Sequence, residues 1–574
     1  MTPGMTPSAD QGTTWRVALL LALLLVATSA MSPLLGVPVH GRNFGHDSDY
    51  ALTALSFMDA GWSAGRLWPR WVMETNFGLG GITFYTYPPV GYWAGALLRR
   101  VTGLDIPGTL ALAVMLWRLV FLLGCFLWLR RHVAPGAALA AAALAALLPY
   151  PAVVNPWIRF AYAEVAGAAI LPFLLLALER VAEGRDGRGM PALALAFAAL
   201  AMTHLPTCAL VAHLAPLYAW AYAGPRAAMR VLCGGIAGAG LAACFVLPAM
   251  GLLRDANFEG LEDGTWEGSL FLYGLPRGDS GWIQFLVIIW SAAALAGLAT
   301  LAFRRLGGVA TRGPLARAAL LLLAVSAALM TVVTLPLWVV LPQLRSIEFP
   351  WRATTVLTLP LAAMAALALA GGRQAARRLV LGLGLACAVF APAYLWARVA
   401  FGHPDWPRFL PPEERLARAV DSPRGVSSEH LPAWALANGW RMKWNGTETA
   451  PAPDPHPRPA LPPGTQRLTA GYLVPEANGP LLLPQFWFPA WAAEDGKGEP
   501  VAVRPGKDGF LEVAVDRPVH DLRVHIAVTP WEWAGWAITG ISAAGLLGFG
   551  LWRRRPGLAA APALAAGGPG RVAG

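Results

Sequence analysis

Long apolar runs separated by short polar stretches dominate the chain. They fall at about 17–37, 108–129, 136–154, 163–179, 191–206, 207–223, 230–251, 282–303, 314–335, 353–371, 378–400 and 531–552. A helix needs about 20 residues to cross the roughly 30 Å of bilayer hydrocarbon, so this pattern predicts about twelve transmembrane helices. Other periods rule the long gaps. In "ITFYTYPPVGYWAGALLRRVTG" aromatic residues recur at helical spacing and Arg99 and Arg100 close the stretch, which predicts an amphipathic helix lying along the membrane surface. Residues 401–467 are rich in proline and polar groups, as in "APAPDPHPRPALPPG", and predict an extended linker. From "LLLPQFWFPAW" to "VHDLRVHIAV" apolar and polar positions alternate between Asp-Gly and Gly-Lys turns, the signature of a compact β-rich module. Its aromatic cluster, Phe486, Trp487, Phe488 and Trp491, is expected in that module's core.

Composition agrees with a membrane protein: 56% of the 574 residues are hydrophobic and 13% charged, with a mean hydropathy of +0.50. The net charge of +11 comes from short basic clusters at the ends of apolar runs, so it reads as topology and excludes a nucleic-acid partner. "RRH" (130–132), "ERVAEGRDGRG" (179–189), "PRAAMR" (225–230), "RRLGGVATRG" (304–313), "GGRQAARR" (371–378) and "WRRRP" (552–556) all follow even-numbered segments. The positive-inside rule therefore puts these loops and both termini in the cytoplasm, and 38–107, 252–281 and 401–530 outside, with smaller outer turns near 155–162, 204–206 and 336–352. Cys125, Cys208, Cys233, Cys244 and Cys387 lie in apolar runs at spacings of no metal or redox motif and read as small apolar residues. The organisation expected is a tail and first helix (1–37), a first outer segment (38–107), a transmembrane core (108–400), an outer linker and β-rich domain (401–530), and a last helix with its tail (531–574).

The polar chemistry collects in the outer segments. "NFGHDSDY" follows the first apolar run and places His46, Asp47 and Asp49 within four positions at a membrane face. A helix-capping turn through Ser48 or Asp49 explains these residues as well as a reaction centre does. Arg159 and Glu164 lie five apart in "NPWIRFAYAE", and a carboxylate entering a membrane helix demands a partner or a wet cavity. His204 stands in "MTHLPT", and Arg345 and Arg352 bracket Glu348 in "RSIEFPWRAT". The acidic 252–281 segment lacks the Asp/Asn/Gly spacing of a calcium loop and reads as a loop over the site.

Taken in order, "HDSDY", "AGRLWPRW", "NFGLGG", "FYTYPPVGYW", "RFAYAE", "THLPT" and "EFPWR" resemble the YfhO-like bacterial membrane proteins labelled 6-pyruvoyl-tetrahydropterin synthase-related, over roughly residues 15–555. No pterin chemistry is legible. The first helix, the outer loop opening on an acid, and the surface helices also resemble the GT-C fold of membrane glycosyltransferases. That resemblance implies a mainly α polytopic bundle, in the bacterial plasma membrane, that moves a sugar from a polyprenyl-phosphate carrier to a hydroxyl of a glycan, lipid or protein acceptor at the outer face.

Such a transfer needs a carboxylate to take the acceptor proton and cations to stabilise the departing phosphate. The resemblance aligns Asp47 with the family's outer acid, with Asp49 as the alternative base and His46 as its orienting group or a ligand to a divalent ion. No cofactor beyond such a metal ion is implied. Arg352 is the expected phosphate ligand because a guanidinium forks onto phosphate oxygens, with Arg70 in reserve. Tyr85, Tyr87, Arg159, Glu164, His204 and Glu348 complete the expected binding residues. Two further readings fit the same composition: a flippase for a lipid-linked glycan, and a non-catalytic assembly factor for envelope glycans.

Overall fold

The computed structural model describes residues 9–36, 47–184, 189–256, 267, 270–271, 313–345, 347–371, 373–401, 430–440 and 456–552. The protein is mainly helical. Eleven of the expected runs fall on helices, while 282–303 lies outside the described residues. The helices are α1 (Ala9–Gly36), α2 (Ser48–Ser63), α3 (Thr75–Gly78), α4 (Thr83–Thr86), α5 (Val90–Thr102), α6 (Ile106–Leu129), α7 (Pro135–Leu147), α8 (Tyr162–Glu183), α9 (Gly189–Ala201), α10 (Leu205–Ala223), α11 (Pro225–Leu241) and α12 (Ala243–Gly251). They continue with α13 (Pro314–Leu329), α14 (Leu335–Val340), α15 (Pro342–Arg345), α16 (Ala353–Ala370), α17 (Gln374–Phe401), α18 (Ala433–Ala437) and α19 (Pro530–Trp552).

Among the described residues five helical stretches are each long and apolar enough to cross a membrane, and α11 with α12, bent by 74°, makes up to six. The expected count of about twelve is therefore not reached within the described residues. α8 runs through the bundle against α6, α9, α10 and α11. It approaches α6 closely at Gly124, where a Cβ would come 2.7 Å from both Pro172 and Phe173, the small-residue contact that lets membrane helices pack tightly.

Two expectations need correcting. The run 136–154 is not one helix, nor is 155–162 a simple outer turn: α7 gives way to a buried π-helix over Tyr150–Arg159. Prolines at 149, 151 and 156 remove backbone donors, so the α ladder cannot continue and the wider turn takes over. The second correction concerns 401–467, expected as linker throughout. His430–Trp440 carries α18, and Leu431, Ala435 and Trp440 are buried in a core shared with the β-rich domain, because they give the segment an apolar face to bury.

In the expected surface stretch, α5 starts after Pro89 and stops at Gly103, whose φ of 71° suits glycine. Arg99 and Arg100 do not face bulk solvent alone. Both bind Asp59 of α2, at 2.8 and 2.5 Å, which ties the two helices together. The β-rich domain holds a five-stranded sheet in the order β1-β2-β8-β4-β5 and a three-stranded sheet β3-β7-β6, all antiparallel. Its strands are β1 (Gln466–Leu468), β2 (Gly471–Ala477), β3 (Leu481–Phe486), β4 (Trp491–Glu494), β5 (Pro500–Val501), β6 (Val503–Pro505), β7 (Phe510–Val513) and β8 (Val519–Ile526). Phe486, Phe488 and Trp491 are buried in its core and Trp487 packs against it.

This domain docks on the first outer segment. Trp71, Met73, Leu79, Ile82 and Tyr85 join its core, the Trp71 indole donates to Gln485 Oε1 at 3.0 Å, and Phe486 N donates to Leu79 O at 2.6 Å. The chain then enters α19 through a capping box: Glu532 Oε2 accepts from Thr529 N at 2.6 Å and Thr529 Oγ1 accepts from Glu532 N at 3.3 Å.

Candidate active site

At the end of the bundle that carries the β-rich domain, side chains from four places in the chain form one row of alternating charge. Asp47 occupies the N-cap position of α2 and makes no side-chain cap hydrogen bond. Its backbone N–H donates to Arg159 O at 2.8 Å, and its carboxylate lies 3.7 Å from Arg159 Nη2. Arg159 ends the π-helix, where Phe160 turns the chain with a φ of 56°. Its Nη1 pairs at 2.6 Å with Glu164 in the first turn of α8. Arg352 Nε lies 3.5 Å from the same carboxylate, and Arg352 Nη1 lies 3.1 Å from Glu348.

Burial grades along the row. Side-chain exposure runs from 37% at Asp47 through 2% at Arg159 and 0% at Glu164 to 13% at Arg352 and 28% at Glu348. Glu164 is fully engaged: Tyr150 OH donates to it at 2.8 Å and Thr355 Oγ1 at 2.7 Å. Trp351 covers Arg159, ring centroid to guanidinium 4.5 Å. A buried carboxylate survives only when opposite charge and donors saturate it, and these partners do so. Glu164 therefore orders the row, and the carboxylates that meet solvent stand at its two ends.

Residues 84–398 match the profile of the 6-pyruvoyl-tetrahydropterin synthase related domain, a membrane protein family, over more than half of the chain. The chain belongs to this family. No match is found among curated proteins. Among solved structures, the PTPS-related chain is similar to the arabinofuranosyltransferase AftD from Mycobacteria, with 20% identity and a TM-score of 0.42 over 64% of this chain and 26% of that one. It thus spans about a quarter of that protein's length. It is also similar to ArnT from Cupriavidus metallidurans bound to undecaprenyl phosphate, with 15% identity and a TM-score of 0.29 over 70% of this chain and 84% of that one. Neither likeness assigns a function.

Five of the residues singled out in the sequence of this PTPS-related protein thus come together: Asp47, Arg159, Glu164, Glu348 and Arg352. His204 stands close by, since a Cβ at Gly167, one turn beyond Glu164, would come 3.0 Å from its Cβ. It is the N-cap of α10 and accepts from Thr207 N at 3.3 Å, a structural role that explains its burial. Tyr87 packs on Tyr50, one turn after Asp47, with ring centroids 4.6 Å apart. His46, and the side chain of Asp49, lie outside the described residues.

Arg70 and Tyr85 belong elsewhere. Arg70 forms an ion pair with buried Glu532 of α19 and sits 4.3 Å over the Trp68 ring. Tyr85 is buried beside Phe488, centroids 5.1 Å apart; burial pushes its phenol above the ordinary tyrosine range, with Arg70 and Arg66 offsetting part of the rise, so it stays protonated at neutral pH. Breaking a buried pair costs about 3–5 kcal/mol, so Arg70→Ala is expected to lower the thermal midpoint in detergent. If Arg70 held a substrate phosphate instead, donor binding would fall while the midpoint held.

Sequence reasoning missed Tyr150, Thr355 and His430. The first two look like ordinary helix residues until α8 and α16 meet. His430 comes from the expected linker and stacks on Tyr50 with centroids 5.4 Å apart, its Nδ1 3.4 Å from Thr86 Oγ1. Among the described residues no three His, Cys, Asp or Glu side chains converge as metal ligands.

Proposed function

We propose that this membrane protein is a glycosyltransferase that moves a sugar from a polyprenyl-phosphate carrier to an acceptor hydroxyl at the non-cytoplasmic face. The observation that carries this reading is the row itself: Asp47, its most exposed carboxylate, lies in one contiguous charge network with Arg352, which is more exposed than Arg159. Glu164 is saturated by donors and is unsuited to take a proton. Asp47 takes the acceptor proton as the acceptor oxygen bonds to the anomeric carbon. The bond from that carbon to the carrier phosphate breaks, and the departing phosphate gathers charge that Arg352 neutralises, exchanging its contact with Glu348 for the phosphate oxygens. Tyr50, half-buried one turn after Asp47, and Tyr87, packed on it, offer aromatic surface on which a sugar ring can rest, while His430 is buried against Tyr50. The direct test is transfer of labelled sugar from a polyprenyl-phosphate donor by the purified protein.

Two outcomes check parts of this reading. Arg352→Ala should lower transfer by about 10²-fold or more, and Arg352→Lys, which keeps a cation but loses the planar fork, should lower it less. Equal losses of folded protein in both variants would make Arg352 a structural anchor. For topology, in a cysteine-free background Lys497→Cys should react in intact cells with an impermeant thiol reagent and Arg373→Cys should not. Labelling at 373 would invert the orientation and move Asp47 to the wrong side.

A further inference from the structure

α6 carries a charge that the row does not use. Arg118 lies twelve residues after Ile106, about 18 Å along the helix at 1.5 Å per residue, and so near the middle of a hydrocarbon layer of about 30 Å. Its residue exposure is 5%. Among the described residues its Nε, Nη1 and Nη2 find no hydrogen-bond partner and no carboxylate forms an ion pair with it. Arg159 and Arg352, by contrast, are each matched by carboxylates.

Arg118 lines a small cavity between α6, α7, the π-helix, α8 and α16, whose walls are largely apolar and whose other polar lining comes from Trp117, Tyr150, Asn155, Thr355 and Thr358. Tyr150 and Thr355 give their hydroxyl protons to Glu164, and Thr358 gives its own to Thr354 O. Asn155 Oδ1 accepts from Arg159 at 3.0 Å, which turns its amide NH2 into a donor still to be used. The donors left for a guest are therefore the guanidinium and one amide. Water would satisfy those N–H groups and leave the charge unbalanced, and an uncompensated guanidinium at this depth costs several kcal/mol. The cavity measures about 30 Å³ on a scale where one water takes about 10–15 Å³. A compact ion fits; a sugar or a lipid tail does not.

We propose that this cavity binds a compact, singly charged inorganic anion, of halide to phosphate size, on Arg118. The site is separate from the Asp47 reading and stands or falls without it. The test uses the full-length protein in detergent at constant ionic strength, comparing gluconate with chloride, bromide and phosphate, and adding undecaprenyl phosphate as a separate arm. The thermal midpoint of the native protein should rise when a small anion replaces gluconate. Arg118→Met should lose that response, and in gluconate its midpoint should equal or exceed the native one, because the unbalanced charge is gone. Arg118→Lys should keep part of the response. Equal responses in native and Arg118→Met protein, or none in either, overturn the proposal. Stabilisation by undecaprenyl phosphate alone, lost in Arg118→Met, assigns the site to a lipid headgroup and overturns the inorganic ion. Should the variants fail to fold, anomalous scattering from bromide in crystals of the native protein decides: a peak within hydrogen-bond distance of Arg118 supports the site, and its absence refutes it.

Discussion

Glu164→Ala is expected to remove most of the folded protein from the membrane. The substitution leaves Arg159 buried beside Trp351 with no described carboxylate nearer than Asp47 at 3.7 Å, and strips Tyr150 and Thr355 of their acceptor. Breaking one buried ion pair costs about 3–5 kcal/mol, and each orphaned buried hydroxyl adds about 1–3 kcal/mol. A whole domain is stable by only about 5–15 kcal/mol, so the sum approaches the total. Glu164→Gln keeps the shape and an acceptor oxygen but not the charge, and should fall between the two. Membrane abundance and the thermal midpoint after solubilisation measure the effect. A Glu164→Ala protein as abundant and as stable as the native one would mean that the row is not what organises this end of the bundle.

The contrast between Glu164 and Asp47 marks how far the sequence could be read. Apolar runs were legible because the bilayer imposes length and composition on each crossing separately, and the alternation of the β-rich module was legible for the same local reason. The Arg159 and Glu164 pair could be read because both partners lie within one turn and a half of chain. What joins Glu164 to Thr355 is packing between α8 and α16, 191 residues apart, and no local period records it. His430 reaches Thr86 across 344 residues from a segment whose proline content suggested only extension. Arg118 did leave a signal, a lone charge inside "LWRLVFLL", but the cavity it lines is built by helices far apart in the chain and no local pattern records it. The π-helix was hidden because proline reads as an interruption, and only the surrounding helices show that the chain stays helical through it.

Asp47→Asn is the second large effect, and it should separate chemistry from stability. The amide keeps the size of the carboxylate and most of its hydrogen bonding, yet has no basic lone pair to take the acceptor proton. General-base catalysis contributes about 10²–10⁴-fold, so transfer should fall by that factor. Stability should change little, because the carboxylate is more than a third exposed, at 37%, and 3.7 Å from Arg159, and exposed ion pairs are worth about 0–1 kcal/mol. Asp49→Asn should do less, and His46→Ala should lie between them if the imidazole orients the base.

The most direct measurement is therefore made on native and Asp47→Asn protein, purified in detergent, with a radiolabelled polyprenyl-phosphate sugar and an envelope-glycan acceptor. Sugar transfer and donor binding are followed separately. The account predicts transfer by the native protein, undiminished donor binding by Asp47→Asn, and transfer by Asp47→Asn lower by about 10²–10⁴-fold. Transfer at the native rate by Asp47→Asn would contradict it and leave Asp47 as a structural partner of Arg159.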